Sequence, residues 1–168
     1  RVDLGLIHNP EPNPAIEVTP VLNEPLGLVS PASGKGAKPT PLPLAELVNY
    51  PLILPERTHA MRKLIETQAA LANLKLDIRL EISGVPAILD LVAAGYGHAI
   101  LTRTALAAFG KPDAFSLRPL SKPGLSSTLF LAVSAHKPST ALGKRAMRLL
   151  QELVVAESLG AATHNKTR

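Results

Sequence analysis

One stretch near the middle of the chain limits the fold more than any other: residues 80–105, LEISGVPAILDLVAAGYGHAILTRTA. It begins as a strand, turns at Ser83 and Gly84, enters a short helix, and reaches a second strand at residues 98–102. Strand, helix and strand without a hairpin turn form a βαβ unit, whose two strands are expected to be parallel. Apolar residues at helical spacing predict that one helix face packs on a sheet: Val85, Ile88, Leu89 and Val92.

The ends of this unit are where a ligand is expected. Units of this kind bind ligands at the carboxyl ends of their strands, which are followed here by Ser83-Gly84 and Thr102-Arg103. Ser83 is a candidate N-cap of the helix, and Gly95 a candidate C-cap, because glycine readily adopts a positive φ. The glycines at 95 and 97 follow a helix and lack a third partner, so they do not form a dinucleotide-binding fingerprint.

Flanking segments continue the alternation of strand and helix. Strands are predicted at residues 2–8, 16–22, 26–29, 52–54, 115–120 and 128–133. Thr58 is the predicted N-cap of a long helix whose apolar face includes Met61, Leu64, Ile65, Gln68, Leu71 and Ala72. Ser139 is the predicted cap of a final helix with a buried stripe at Leu142, Ala146, Leu149, Leu150, Leu153 and Val154. This alternation predicts an α/β fold with a sheet covered on both faces.

Composition agrees with that class and excludes several kinds of chemistry. The 168 residues are 46% hydrophobic but only 3% aromatic, so the core is built from aliphatic side chains. No cysteine is present, which excludes disulfides and thiolate chemistry. The net charge of +5 comes from scattered lysines and arginines without aromatic partners, a pattern that does not favour nucleic-acid binding. No apolar run is long enough to cross a bilayer.

The residues also predict no catalytic or metal centre. The five histidines share no metal-ligand spacing, and no paired carboxylate motif is present. His98 lies in a buried-looking strand, where an interior imidazole with satisfied hydrogen bonds is the expected state. Glu56, Glu81 and Asp90 lie on different segments and are expected to be solvated or in surface ion pairs. We therefore expect no enzyme activity, no cofactor and no metal.

Polar groups converge instead on a predicted binding rim, formed where three strands end. Two of these ends open helices, whose free N–H groups and positive dipole end favour a small anion. The hydroxyls of Thr58, Ser83 and Thr102 add donors, and Arg57 or Arg103 adds charge; helix capping is the equally simple role for Thr58 and Ser83. The candidate ligand-binding residues are Pro55, Thr58, Ser83, Gly84, Val85 and Thr102, with His8 contributed from the start of the chain.

Four segments in order resemble one family. A helix that ends in G-x-G and is followed by A-I-L resembles the effector-binding domain of bacterial LysR-type transcriptional regulators. RVDLGLI, LNEPLGLVSP and LAELVNYPLILPE resemble the family's strands and its entry into the second subdomain. The resemblance extends from Arg1 to about Val155.

The resemblance implies a periplasmic-binding-protein type II-like fold, with two α/β lobes joined by two hinge strands. Residues 1–30 and 129–168 would form a partial regulatory subdomain I, and residues 31–128 a complete regulatory subdomain II. The first lobe would then be incomplete, with further strands, helices and a winged helix-turn-helix before Arg1.

The implied function is ligand sensing in the cytoplasm, with a small, anionic effector bound in the cleft between the lobes to control transcription. The implied partners are that effector, other copies of the protein in a full-length homodimer or homotetramer, and DNA only through the absent winged helix-turn-helix. No membrane is implied. The alternative with the same fold is the solute-binding protein of a transporter.

Overall fold

The computed structural model describes residues 4–32, 40–136 and 140–163. The chain divides into two compact units, residues 1–24 with 127–168 and residues 25–126. The predicted subdomain boundaries, after residues 30 and 128, remain predictions about the family's division. The predicted cap Ser139 and the first two residues of the predicted opening strand lie outside the described residues.

Strands at the beginning of the chain and after residue 126 pair antiparallel in a regular register. Strand β1, Leu4–His8, pairs with β8, Ser126–Ser134, from Leu4 opposite Val133 to His8 opposite Leu129. Strand β2, Ile16–Pro31, follows β8 in the order of the sheet. Two strands were predicted here, but β2 is one continuous strand that passes through Pro20 and Pro25. It can do so because the fixed φ of proline is compatible with extended backbone and only one ladder donor is lost at each proline.

The last helix, α4 at Ala141–Thr163, does not have the buried stripe that its periodicity predicts. Leu142 is 78% exposed, Leu149 51% and Leu153 59%, and Ala146, Leu150 and Val154 are only partly buried. The expectation of burial was therefore wrong for these residues. Helical spacing places apolar residues on one face, but it does not supply a second surface to cover that face.

The second unit has a sheet in which β2 is central. The later part of β2 pairs antiparallel with β6, Ala99–Thr102, and with β7, Phe115–Ser121. The short strand β3, Leu42–Pro43, runs parallel to β7. Four consecutive residues of β2, Leu26 to Val29, are buried, as are all four residues of β6. A strand buried on both faces has a mostly apolar sequence, as β6 does with AILT, in which Thr102 is the polar residue.

The central βαβ stretch folds around a third strand. Strand β4, Leu52–Leu54, is parallel to β5, Ile78–Glu81, and an isolated parallel bridge joins Leu52 to His98. The amide of Ile53 donates to the carbonyl oxygen of His98 at 2.8 Å. The two strands of the predicted βαβ unit, β5 and β6, therefore run in the same direction, but β4 lies between β5 and the start of β6.

Three α-helices and two 3-10 helices belong to the described part of this unit. The α-helices are α1 at Ala60–Leu71, α2 at Val85–Ala93 and α3 at Arg103–Ala107, and the 3-10 helices are Leu44–Asn49 and Pro112–Ala114. Helix α2 buries Ile88, Leu89 and Val92, as its periodicity predicts. Helix α1 buries Met61 and Ile65 of its predicted apolar face, together with Arg62 and Ala69, whereas the predicted Leu71 is 77% exposed and Ala72 is also exposed.

Two glycines fix the turn between α2 and β6. Gly95 has a φ of +80°, and its amide donates to the carbonyl oxygen of Val92 at 2.9 Å, so the predicted positive φ is confirmed, although the C-cap itself is the preceding Ala94. A Cβ atom on Gly97 would lie 2.8 Å from the carbonyl oxygen of Pro51. Glycine at 97 therefore lets the chain entering β6 approach β4 closely enough to form the bridge at His98.

Candidate functional site

A pocket of about 390 Å³ lies within the second unit, where β4 and β5 end. The turn after β4 supplies one wall, the start of α2 supplies another, and α1 and β6 contribute apolar side chains. The lining residues are Pro55, Glu56, Thr58, His59, Met61, Ser83, Gly84, Val85, Ile88 and Leu101. The carboxyl ends of parallel strands are the part of an α/β sheet where a small-molecule site is expected.

The start of α1 is capped by His59, one residue later than predicted. The Nδ1 atom of His59 accepts a hydrogen bond from the amide of Met61 at 3.3 Å. The prediction that Thr58 is the cap was therefore wrong: His59 has extended backbone and a side-chain acceptor two residues before the donor, which is the geometry a cap requires. Thr58 instead lies in the preceding turn and lines the pocket.

The start of α2 has no side-chain cap. Gly84 occupies the cap position with φ +94° and ψ 121°, a conformation that glycine adopts without steric cost. The prediction that Ser83 caps α2 was wrong, because Ser83 precedes the cap position and its hydroxyl donates to Glu56 Oε1 at 2.7 Å. The first N–H groups of α2 consequently have no side-chain acceptor at the cap.

A buried arginine supports the turn behind the pocket. Arg62 is 1% exposed, and its Nη1 donates to the carbonyl oxygen of Pro55 at 2.9 Å and contacts Glu81 Oε2 at 3.5 Å. Its Nε lies 2.9 Å from Glu66 Oε1, but the N–H is not aimed for a hydrogen bond, so this contact is an ion pair only. Arg62 thus joins the ends of β4 and β5 to α1.

The structure brings together five of the seven predicted site residues in one pocket: Pro55, Thr58, Ser83, Gly84 and Val85. Thr102 is 3% exposed, and its Oγ1 accepts from the amide of Ala105 at 3.2 Å, so it caps α3 and does not line the pocket. His8 lies in the first unit, where its Nδ1 is 3.0 Å from Ser127 Oγ. Neither Arg57 nor Arg103 lines the pocket.

Five lining residues were not predicted: Glu56, His59, Met61, Ile88 and Leu101. Glu56 was assigned a solvated or ion-paired state, although it stands between two predicted site residues in the same turn. Its pairing with Ser83 joins positions 27 residues apart. That contact could not be derived without knowing that β4 and β5 are neighbours.

His98 is half-buried, and its imidazole has a hydrogen-bond partner, as was expected. Its Nδ1 lies 2.7 Å from Ser30 Oγ, and the ring of Tyr50 meets the imidazole edge-on with centroids 5.1 Å apart. Burial lowers the pKa of His98 from its ordinary value of 6.5. The hydroxyl of Tyr50 in turn accepts from Arg118 Nη1 at 2.9 Å. This cluster holds β2, β7 and the start of β6 together and lies outside the pocket.

Two features are absent from the described residues. Among the described residues, no group of three or more histidine, cysteine, aspartate or glutamate side chains is arranged to hold a metal ion. In that same part of the chain, no helix is both long enough and apolar enough to cross a membrane.

Comparison with curated proteins finds regulators of transcription. The chain is 27% identical over 154 residues to the HTH-type transcriptional regulator BbuR of Bordetella bronchiseptica, covering 92% of this chain and 46% of BbuR. It is 32% identical over 108 residues to the HTH-type transcriptional activator CmpR of Synechocystis, covering 64% of this chain and 36% of CmpR. The chain therefore spans less than half the length of these two relatives.

Comparison with solved structures finds the same fold. The CcmR regulatory domain of Synechocystis, in complex with 2-PG, has a TM-score of 0.77 at 18% identity, covering 90% of this chain and 73% of that domain. The effector-binding domain of QuiR, in complex with shikimate, has a TM-score of 0.71 at 22% identity, covering 84% of this chain and 66% of that one.

The predicted family and fold are both confirmed. The family model described as the LysR substrate binding domain matches residues 1–155, nearly the whole chain. Its fold is periplasmic-binding-protein type II-like, in agreement with the mixed α/β architecture. The matched relatives give no support to the alternative of a transporter's solute-binding protein. The chain belongs to the LysR substrate-binding domain family.

Proposed function

We propose that this chain is the ligand-sensing part of a LysR-type DNA-binding transcriptional regulator, and that its effector is a small anion bound in the pocket at the ends of β4 and β5. The observation that carries the proposal is the pocket itself, which collects five predicted residues beside the uncapped N-terminus of α2. Uncapped N–H groups and the positive end of a helix dipole both favour a negatively charged ligand. Similar domains have been solved with 2-PG and with shikimate.

The contact residues we assign are Pro55, Thr58, Ser83, Gly84 and Val85. Thr58 offers a hydroxyl, Gly84 and Val85 offer backbone amides, and Pro55 shapes the wall. Thr102 acts as the cap of α3 in this scheme, and His8 remains a prediction that concerns the other unit.

An effector that binds one conformation of the regulator more tightly than another shifts the balance between them, and this shift is the signal that reaches DNA. We assign DNA contact to a winged helix-turn-helix outside these 168 residues, since the relatives are named HTH-type and the chain matches 46% and 36% of their lengths. We further propose a homodimer or homotetramer of the full-length protein, a cytoplasmic location, and a sensing role without catalysis or cofactor.

Filling the pocket tests this assignment. Thr58 is exposed and lines the pocket, so Thr58→Phe should obstruct the ligand with little effect on folding. Thr19→Phe makes the same change at an exposed position of the first unit and is the matched control. Calorimetric titration with a panel of small carboxylates and phosphates should show binding by the parent and by Thr19→Phe, and none by Thr58→Phe. Equal binding by all three proteins would place the effector elsewhere.

A further inference from the structure

We propose that the effector carries a hydroxyl or ammonium group that donates to the carboxylate of Glu56, which makes Glu56 the residue that determines specificity. The ligand class would be small hydroxy- or amino-carboxylates, not simple anions. This inference rests on the proposed function of the same pocket and narrows its ligand.

The side chains that line the pocket do not favour an anion by their charge. Glu56 is the one acidic residue among the described lining residues, and none of them is lysine or arginine. A ligand with negative charge and no other polar group would meet a carboxylate without a compensating cationic side chain. Repulsion between like charges at a shared site is unfavourable, and a partner that donates a hydrogen bond removes part of that cost.

The hydrogen bond from Ser83 to Glu56 changes what Ser83 can offer a ligand: the residue was expected to donate a hydrogen bond, and it is left as an acceptor. A serine hydroxyl has a single proton, and here it is donated to Glu56 Oε1 at 2.7 Å. The Ser83 oxygen can therefore only accept from a ligand while that bond is intact. Glu56 and Ser83 together form a pair of acceptors on one wall of the pocket, so the part of a ligand that contacts this wall must donate.

The size of the pocket places the two ligand groups close together. A volume of about 390 Å³ accommodates a small organic molecule. The acceptor pair stands next to the start of α2, because Ser83 directly precedes the cap residue Gly84. A donor and an anionic group on neighbouring carbons of one ligand match this arrangement.

The experiment compares matched probes that differ by one donor. The probes are acetate, glycolate and glycine; propionate, lactate and alanine; and cyclohexene-1-carboxylate with shikimate. The Kd of each probe is measured from the amide shifts of Gly84 and Val85 during titration. The proteins are the parent, Glu56→Ala, and Glu46→Ala, which removes an exposed carboxylate from the 3-10 helix outside the pocket.

In the parent and in Glu46→Ala, the donor-bearing member of at least one probe set should bind about tenfold more tightly than its donor-free member, the difference expected for one hydrogen bond to a charged group. In Glu56→Ala this preference should be lost. The donor-bearing probe loses its acceptor, while both members of a pair gain equally from the freed Ser83 hydroxyl and from the absence of the Glu56 charge. Partial unfolding would weaken both members together and would leave the ratio of their Kd values unchanged, so it does not imitate this result.

Two results would overturn the inference, and only the second would also contradict the proposed ligand pocket. If donor-free anions bind the parent as tightly as the matched donor-bearing probes, or if the preference survives in Glu56→Ala, the proposed role of Glu56 is wrong. The proposal that the pocket binds an anion is not contradicted by that result. If no probe of either kind shifts the amides of Gly84 and Val85, the selectivity and the proposed pocket both fail.

Discussion

Arg62 Nη1 lies 2.9 Å from the carbonyl oxygen of Pro55, and this bond connects a fully buried cation to the wall of the pocket. The acidic partners of Arg62 are partly solvated, with the side chain of Glu66 35% exposed and that of Glu81 47% exposed. Solvent therefore weakens both ion pairs, and the buried bond to Pro55 is the contact that water cannot replace.

Replacement of Arg62 by methionine should destabilise the protein by about 2 kcal/mol, because a buried carbonyl acceptor loses its partner while the aliphatic packing is largely kept. Arg57→Met, at an exposed position of the same turn, is the control and should change the free energy of unfolding by less than about 0.5 kcal/mol. Urea denaturation of the three proteins measures both values. Equal stability of the two variants would mean that the bond to Pro55 contributes nothing.

Substitution of Gly84 should act through the backbone and not through a clash. A Cβ atom at this position would meet nothing within 4 Å, but φ is +94°, so Gly84→Ala should cost about 1–3 kcal/mol of stability from strain alone. Gly5→Ala provides the comparison, since Gly5 also has open space but is not in the positive-φ region. Thermal denaturation should show a loss only at Gly84. A neutral Gly84→Ala would mean that the turn relaxes freely.

Alanine substitutions at Ser83 and Thr102 should differ in how much stability they cost, because only Thr102 caps a helix. Thr102→Ala removes a buried cap and should cost about 1 kcal/mol. Ser83→Ala removes an exposed hydrogen bond and no cap, so its cost should stay within about 0.5 kcal/mol. Chemical denaturation compares them directly, and an equal or larger loss at Ser83 would return the capping role to that residue.

His98 should make stability depend on pH. Burial lowers its folded pKa below 6.5, so the unfolded state takes up a proton first as the pH falls. The stabilising contribution of neutral His98 is complete well above pH 6.5 and is lost as the pH decreases from there towards the folded pKa. His98→Asn removes this titration, so its stability should fall less than that of the parent over the same window. The stability of each protein at a series of pH values gives the comparison, and parallel curves would contradict the prediction.

The elements that sequence reasoning predicted best are those with a local signal. The apolar face of α2, the positive φ at Gly95 and the hydrogen-bonded imidazole of His98 follow from spacing and residue type within a few positions. The family also follows from short segments in a fixed order. Each of these predictions depends on local chain geometry.

What could not be predicted depends on which segments become neighbours. The caps of α1 and α2 were misassigned because Thr58 and Ser83 are good capping residues by type, while His59 and Gly84 occupy the required backbone positions. The burial of Arg62 depends on the ends of β4 and β5 lying side by side. A visible hint was Glu66, four residues after Arg62 on the same helix, which is the spacing of an ion pair.

The bond between Glu56 and Ser83 closes a loop whose ends are 27 residues apart in the chain. A ligand that contacts both of these turns would form a second non-covalent connection between the ends of that loop. Separating the turns would then require the ligand to leave, so the free energy of local opening would rise with the ligand concentration relative to its Kd. A regulator with this arrangement would report its ligand through the rigidity of one sheet edge, even before any larger rearrangement takes place.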